Sequence, residues 1–193
     1  MKNIVLIGPP GAGKGTQAKL LSNKHGYIHI STGDLIREEQ KKDTAIGQLA
    51  TKLIDQGNFL PDEITIQIVK QKVIDNPNAT GFIFDGFPRT VEQAKALDFF
   101  LTNRHTPINN VLVFELSDEI VKQRIEDRST KENRVDDNPD VIQTRIHNYK
   151  TKTEPIKDYY QNSRLFVGNK LMSTINSDNS IEIISSQIEE III

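Results

Sequence analysis

Gly8-Pro9-Pro10-Gly11-Ala12-Gly13-Lys14-Gly15-Thr16 is the stretch that decides the fold of this chain. The apolar residues 4–7 come before it and are typical of a buried strand, and residues 17–21 have a helical pattern. Glycines allow successive backbone N–H groups to turn inward, and the N-terminus of the next helix adds its positive dipole. The order strand, glycine turn and helix therefore predicts a phosphate-binding loop.

Lys14 is expected to reach the outer phosphates of a bound nucleotide, and a nearby hydroxyl to join the shell of a bound Mg²⁺. The general pattern has Ser or Thr directly after the lysine, whereas this chain has Gly15 there and Thr16 one residue later. That departure leaves open a simpler interpretation, a glycine turn with an exposed lysine. The strand before the loop and the helix after it favour phosphate binding.

Composition limits the possible functions. The 193 residues carry a net charge of −2, so we expect no general attraction to nucleic acid or to an anionic membrane. The chain has no cysteine, which excludes disulfides, thiolate zinc sites and cysteine nucleophiles. It begins with a strand rather than a signal segment, and it has no apolar run of the ~20 residues that span a bilayer. We therefore expect a cytoplasmic protein.

Strand-like apolar runs alternate with helical patterns along the chain. Strands are predicted at residues 4–7, 27–30, 81–85, 111–116 and 170–175. This alternation predicts an α/β fold, a P-loop three-layer α/β/α sandwich with a mostly parallel five-stranded sheet. Ligands are expected beyond the carboxyl ends of the strands.

The connections between these strands are unequal in length. Residues 31–60 contain two helical stretches, more than one crossover requires, and we interpret them as a helical insertion that moves against the core. Asp62 is expected to cap the helix that follows. Residues 129–138 are polar and turn-like, and a long helix is predicted after Pro139, with a bend at Pro155.

Asp85 ends its predicted strand on the same sheet edge as the phosphate loop, provided that the two strands are parallel. A carboxylate there can hold Mg²⁺ through water, since Mg²⁺ keeps several waters and accepts one or two carboxylates. The alternative is that Asp85 only caps the turn that follows.

Arginines form the next candidate group. Guanidinium groups bind phosphate oxygens well, although a solvated, salt-bridged surface is the alternative for any one of them. Arg37 and Arg89 lie near strand ends at the start of helices, and a second set is close together in sequence: Arg124, Arg128, Arg134 and Arg145. Two basic sites indicate two phosphate-bearing ligands that face each other, which favours phosphoryl transfer between nucleotides over hydrolysis.

No other catalytic arrangement is evident. The four histidines, His25, His29, His105 and His147, lack ligand-like spacing, and we interpret them as structural. The run Asn169-Lys170-Leu171-Met172 begins like a guanine-recognition motif but has Met172 where an aspartate would read the base. A regulatory GTPase is therefore disfavoured.

Together these motifs resemble those of the adenylate kinases, nearly from end to end. That family's phosphate loop carries Gly-Thr after its lysine, as this chain does, which accounts for the departure noted above. Three further groups resemble the family's AMP-site motifs and its lid: residues 31–34 with Arg37, residues 85–90 with Gln93, and residues 134–138 with Arg145.

The resemblance implies the reversible reaction ATP + AMP ⇌ 2 ADP with Mg²⁺, in which Asp85 holds the ion through water and no zinc is used. The ATP-binding residues that it implies are Gly11, Ala12, Gly13, Lys14, Gly15, Thr16, Arg124, Arg128 and Asn179. Asn179 stands where the family often has a glycine that contacts adenine through its backbone.

The AMP-binding residues that it implies are Thr32, Arg37, Asn58, Phe59, Leu60, Gly86, Phe87, Pro88, Arg89, Gln93, Arg134 and Arg145. Arg37 and Arg89 would hold the AMP phosphate, and Gln93 would read the adenine edge. The implied catalytic set is Lys14, Arg89, Arg128, Arg134 and Arg145.

The resemblance also implies three parts: a core of residues 1–30, 61–126 and 138–193, an NMP-binding insertion at 31–60, and a short lid at 127–137. Lid and insertion are expected to close over the substrates and exclude water. Because two mobile flaps leave little surface for a permanent interface, we expect a monomer whose partners are ATP, AMP and ADP.

Two other hypotheses remain open. A related kinase acting on UMP or CMP would share the fold, but such relatives tend to have Ala in place of Thr32 and other residues in place of Thr90, which favours AMP. A phosphate-loop protein that only binds nucleotide, as a regulatory or scaffolding module, would bind without transfer. Lys14, Asp85 and the arginines all favour transfer.

Overall fold

Five strands form one sheet in the computed structural model, which describes residues 1–42, 44–54, 56–117, 119–121, 123–125, 139–162 and 171–192. The strands are β1 (Lys2–Ile7), β2 (Ile28–Ser31), β3 (Gly81–Asp85), β4 (Asn110–Glu115) and β5 (Met172–Asn176). Their order across the sheet is β2-β3-β1-β4-β5, and every neighbouring pair is parallel. The predicted α/β class and five-stranded sheet are confirmed, and the sheet is wholly parallel.

Helices make the crossovers between the strands. They are α1 (Lys14–His25), α2 (Thr32–Lys41), α3 (Ala45–Ile54), α4 (Asp62–Ile74), α5 (Val91–Asn103), α6 (Pro139–Asn148), α7 (Pro155–Gln161) and α8 (Ile181–Ile192). Residues 119–121 and 123–125 are also helical. None of the helices in the described part of the chain combines the length and the apolar character needed to cross a bilayer.

Alternate residues of the buried strands supply the two apolar layers, as expected for a sheet covered on both faces. Val5 and Ile7 of β1 pack toward α4, α5 and α7, whereas Ile4 and Leu6 pack toward α1 and α8. All four side chains are at most 1% exposed. The strand that leads into the glycine loop is therefore the central strand of the sheet and is buried on both faces, so it provides a rigid base for the loop.

Residues 31–60 have a small apolar cluster of their own. It consists of Ile36, Ala50 and Leu60, which are buried, with Leu49, Leu53 and Ile54 packed around them. The segment also contacts α6, because the Asn148 side-chain amide donates a hydrogen bond to the Gly57 carbonyl at 3.0 Å. The predicted lid, residues 127–137, lies outside the described residues.

Two local predictions differ from the structure. Asp62 does not cap α4, because Pro61 occupies the N-cap and Asp62 is the first helical residue. The Asp62 carboxylate instead accepts hydrogen bonds from Thr90, which precedes α5, and from Gln93 of α5. The long helix predicted after Pro139 is divided into α6, a π-helical turn (Tyr149–Thr153) and α7. Pro155 begins α7, because its missing N–H is tolerated in the first turn of a helix.

Asp98 is a buried carboxyl that joins α5 to α7. It is 5% exposed, and it accepts hydrogen bonds from the hydroxyls of Tyr159 at 2.7 Å and Tyr160 at 3.4 Å. Burial raises the pKa of Asp98 from 3.8 to about 6, more than these two hydrogen bonds lower it. The folded protein therefore holds the Asp98 proton more tightly than the unfolded chain does.

We predict that this carboxyl makes the free energy of unfolding fall as the pH rises from about 4 to about 6, because the folded state binds more protons in that window. A shift of this size corresponds to about 3 kcal/mol. Urea denaturation at pH 5 and pH 7.5 tests this. The free energy of unfolding of Asp98→Asn, relative to that of the wild type, should be higher at pH 7.5 than at pH 5. The matched control is Asp158→Asn, an exposed aspartate on α7. Equal effects at the two positions would contradict the prediction.

Candidate active site

A cleft of about 770 Å³ opens at the carboxyl ends of β1, β2 and β3. It is lined by almost all of the described residues that the sequence singled out: 11–16, Thr32, Arg37, 58–60, Asp85, Gly86, Pro88, Arg89, Gln93, Arg124, Arg145 and Asn179. Phe87 is not among the lining residues, because its side chain is 1% exposed and packs in the core against the sheet. Arg128 and Arg134 lie outside the described residues.

The glycine loop makes one wall of the cleft and leads directly into α1. Gly13 is the N-cap of α1 with φ of 80°, a left-handed conformation that favours glycine. The Lys14 ammonium donates hydrogen bonds to the carbonyls of Gly8 and Pro9, each at 2.8 Å. The only positive charge within the loop is thus held over the turn where the helix dipole is also positive, as an anion site requires.

Asp85 faces this loop from the neighbouring strand. A β-carbon placed on Gly15 would lie 3.4 Å from Asp85 Oδ2, and His29 Nε2 is 3.3 Å from the same oxygen. Burial opposes ionisation, but the hydrogen bond from His29 and the charges of Lys14 and Arg89 outweigh it and hold the pKa of Asp85 below its usual value. The carboxylate is therefore ionised beside the phosphate loop.

This single carboxylate suits a hydrated Mg²⁺ better than a fully protein-bound metal. Among the described residues, no group of three or more His, Cys, Asp or Glu side chains is arranged to hold a metal ion. Mg²⁺ is bound through one or two carboxylates, with waters and phosphate oxygens completing its shell. The oxygen of Asp85 beside Gly15 fits that donor set.

Thr32, Gly86 and Arg89 form a second part of the cleft lining, at the carboxyl ends of β2 and β3, here called the Gly86 corner. The Gly86 carbonyl accepts hydrogen bonds from the Thr32 hydroxyl at 2.7 Å and from Arg89 Nε at 2.8 Å. Gly86 has φ of 73°, and a β-carbon there would lie 2.8 Å from Thr32 Oγ1. Any side chain at this position would collide with Thr32. The Gly86 carbonyl, through the hydrogen bond from Nε, holds the guanidinium end of Arg89.

Arg89 is further held by an aromatic ring and by the π-helical turn. Its guanidinium carbon lies 5.0 Å from the centre of the Phe59 ring, and Lys152 Nζ lies 5.5 Å from the same centre. The Thr153 hydroxyl donates a hydrogen bond to the Arg89 carbonyl at 3.0 Å. Phe59 therefore brings residues 31–60 into contact with two cations of the main body.

Gln93 lies on the first turn of α5 and is 1% exposed. Its side-chain oxygen accepts a hydrogen bond from the Arg89 N–H at 2.7 Å, and its nitrogen donates to Asp62 Oδ1 at 2.8 Å. The second oxygen of Asp62 accepts from the hydroxyl of Thr90, the residue that caps α5, at 2.7 Å. The amide that lines the cleft is thus held at both ends.

The remaining predicted residues lie around the rim. Arg37 pairs with Asp34 on α2, and Arg124 Nη2 donates to the Ser177 carbonyl at 2.8 Å. Arg145, on α6, lines the cleft, as does Asn179, which follows β5. These cations therefore reach the cleft from separate elements: Arg37 and Arg89 follow β2 and β3, whereas Lys14 and Arg124 follow β1 and β4.

Sequence reasoning missed several residues that shape this site. His29, which lacks ligand-like spacing in the sequence, lines the cleft beside Asp85. Its position, two residues before the carboxyl end of β2, was the available signal, because ligands of parallel sheets lie at that edge. Thr153 and Lys152 carried no such signal, since a π-helical turn presents them and sequence periodicity does not reveal one.

Comparison with known proteins gives a consistent result. A family model described as "Adenylate kinase" matches residues 6–165. The adenylate kinase of Flavobacterium psychrophilum is 41% identical over all of this chain and 98% of its own length. That of Leptospira biflexa is 42% identical over 97% of this chain and 98% of its own length. That of Rhodococcus erythropolis is 48% identical over 83% of this chain and 86% of its own.

Gly86→Ala should destabilise the protein more than a glycine substitution that introduces backbone strain alone. Gly26→Ala is the matched control, because Gly26 has φ of 69° and nothing lies within 4 Å of a β-carbon there. We expect the control to lose roughly 1–2 kcal/mol from strain. Gly86→Ala should lose at least about 1 kcal/mol more from the collision with Thr32 Oγ1. Urea denaturation measures both, and equal losses would contradict the prediction.

Proposed function

Because the chain belongs to the adenylate kinase family, we propose that its cleft holds ATP and AMP face to face, with the site residues divided between them as the sequence analysis assigns. The chain is an ATP:AMP phosphotransferase that catalyses ATP + AMP ⇌ 2 ADP and serves adenine nucleotide homeostasis. The assignment of individual residues below is our proposal.

One observation carries this assignment. The phosphate loop, which follows β1, and the Gly86 corner, which follows β3, line a single cleft, so nucleotides bound at the two places would share the same space. A protein that only hydrolyses or stores one nucleotide needs one such place. Two such places in one cleft bring the terminal phosphoryl of one nucleotide near the phosphate of another, and this proximity is most of what phosphoryl transfer needs from a protein.

On the loop side, residues 11–16 would surround the ATP phosphates with backbone N–H groups. Lys14 would then exchange its hydrogen bonds to the Gly8 and Pro9 carbonyls for contacts with phosphate oxygens. Adenylate kinases use Mg²⁺ together with ATP. Asp85 would hold the ion through water, near Thr16. When bound, Mg²⁺ neutralises charge on the transferring phosphates. Arg124 and Arg128 would cover ATP, and Asn179 would contact its adenine through the backbone.

On the other side, Arg37 and Arg89 would bind the AMP phosphate and Gln93 would read the adenine edge. Arg89 is fixed without a substrate by hydrogen bonds at its backbone N–H, its carbonyl and its Nε, to Gln93, Thr153 and Gly86. Such preorganised donors stabilise developing charge without reorganisation during the reaction. Arg134 and Arg145 would lie about the phosphoryl group in transit, and Thr32 and residues 58–60 would enclose AMP.

Exclusion of water is the remaining requirement, since water would otherwise accept the phosphoryl group. We propose that residues 31–60 and the short lid, residues 127–137, close over the substrates on the core. The Phe59 ring against Arg89 and Lys152 supports this for the insertion, because it is a contact that a moving insertion would make or release. We further propose that the chain acts as a cytoplasmic monomer.

The direct experiment measures ADP formation from Mg·ATP with AMP, UMP, CMP or GMP supplied separately, beside a control without acceptor. Rapid turnover with AMP alone is expected. Preference for UMP or CMP would leave the fold and the phosphate sites standing but overturn the base assignment. Nucleotide binding without transfer would overturn the proposal.

Arg89→Ala should lower kcat at saturating AMP by at least about a hundredfold, because a preorganised donor to the phosphate is removed. The affinity for ATP should change little, since Arg89 follows β3 and is not part of the phosphate loop, which follows β1. Arg104→Ala is the matched control, an arginine that contacts the Phe100 ring at the end of α5. Unchanged turnover of Arg89→Ala would refute the assigned role.

A further inference from the structure

The Gln93 side chain is held in one orientation by two partners that cannot exchange roles. Asp62 Oδ1, 2.8 Å from Gln93 Nε2, belongs to a carboxylate and can only accept a hydrogen bond. The Arg89 backbone N–H, 2.7 Å from Gln93 Oε1, can only donate one. Rotating the amide by a half turn would put oxygen against oxygen and N–H against N–H. The network itself therefore determines which end of the amide is nitrogen.

The carboxylate of Asp62 is itself fixed. Its second oxygen accepts a hydrogen bond from the Thr90 hydroxyl, and that hydroxyl in turn accepts one from the Gln93 backbone N–H at 3.1 Å. Asp62, Thr90 and Gln93 thus form a closed ring of hydrogen bonds between the first turns of α4 and α5. Gln93 lines the cleft, whereas Asp62 is not among the lining residues. Asp62 therefore lies behind the amide, as a support rather than a contact.

The orientation of an amide matters to a purine base. A glutamine amide has two N–H donors and an oxygen with two lone pairs, so each end can serve a ligand in addition to its present partner. Adenine presents an acceptor at N1 beside a donor at N6. Hypoxanthine, a 6-oxopurine of nearly the same shape, presents the reverse, a donor at N1 beside an acceptor at O6. One fixed amide can match only one of these two edges in a given pose.

We propose that Asp62 is a positioning residue that fixes the Gln93 amide and so makes the acceptor site select adenine over 6-oxopurine bases. The inference rests on the proposed function, in which Gln93 reads the base of AMP. It adds to that function a residue outside the cleft that sets base selectivity. Discrimination of this kind is strong when the wrong base would leave buried polar groups unpaired.

The test compares AMP with IMP as acceptors in the wild type and in Asp62→Asn. The asparagine can face Gln93 with either its oxygen or its nitrogen, which leaves only the Arg89 N–H to orient the amide. We expect the ratio of kcat/KM for AMP to kcat/KM for IMP to fall about tenfold, the scale of one charge-assisted hydrogen bond. The KM for ATP should not change. A purely structural role would lower the values for both acceptors together and leave their ratio unchanged, and that result would overturn the inference.

Two controls separate this inference from the proposed function. Glu63→Gln makes the same change of charge on the next residue of α4, where the side chain is exposed, and should leave the ratio unchanged. Gln93→Ala should reduce the ratio, and an unchanged ratio would show that Gln93 does not read the base. A wild type that transfers nothing to AMP would refute the proposed function itself. A selective wild type whose selectivity survives in Asp62→Asn would refute only the role of Asp62.

Hydrogen exchange provides a second test that does not depend on the folding of a variant. In the wild-type protein, the side-chain amide protons of Gln93 should exchange with solvent far more slowly than those of Gln71. Gln71 also donates to an aspartate, Asp75, at 2.7 Å, but this pair is exposed. Equally fast exchange at both glutamines would contradict the conclusion that the Gln93 side-chain amide is buried and fixed.

Discussion

The parallel register between β1 and β3 is the constraint on which the rest of the site depends. Leu6 of β1 pairs with Asp85 of β3, and Ser31 of β2 pairs with the same residue from the other side. Since all five strands run in one direction, the loop after β1, the carboxylate that ends β3 and the start of α2 meet at one edge. A slip of one residue would turn every strand side chain to the opposite face. The two apolar layers therefore fix the geometry of the cleft.

Within that edge, charge and hydrogen bonding hold side chains before any substrate arrives. The hydrogen bond from His29 and the charges of Lys14 and Arg89 together lower the pKa of the partly buried Asp85. The Gly8 and Pro9 carbonyls hold the Lys14 ammonium, and the Gly86 carbonyl and the Phe59 ring hold the Arg89 guanidinium. Holding charges in place in this way favours phosphoryl transfer, because the protein does not have to reorganise as charge develops.

The features that could be predicted from the sequence are those encoded locally. The run from residue 4 to Thr16 contains its own strand, turn and helix start, and Asp85 could be placed because its strand ends there. Asp62 and Thr153 could not be assigned, since their partners are Gln93 and Arg89, each more than thirty residues away in the chain. Asp62 shows the difficulty best. A local rule predicts that it caps α4, but a charge-assisted hydrogen bond across the fold uses its carboxylate instead.

The measurement that tests the two-site account most directly is calorimetric titration with a molecule in which two adenosines are joined through five phosphates. If the loop and the Gly86 corner hold two nucleotides face to face, one such molecule should bind per chain. It should bind far more tightly than ATP or AMP alone, because the second contact becomes intramolecular. It should also displace both nucleotides. Two molecules bound per chain, or competition with ATP but not with AMP, would contradict the account.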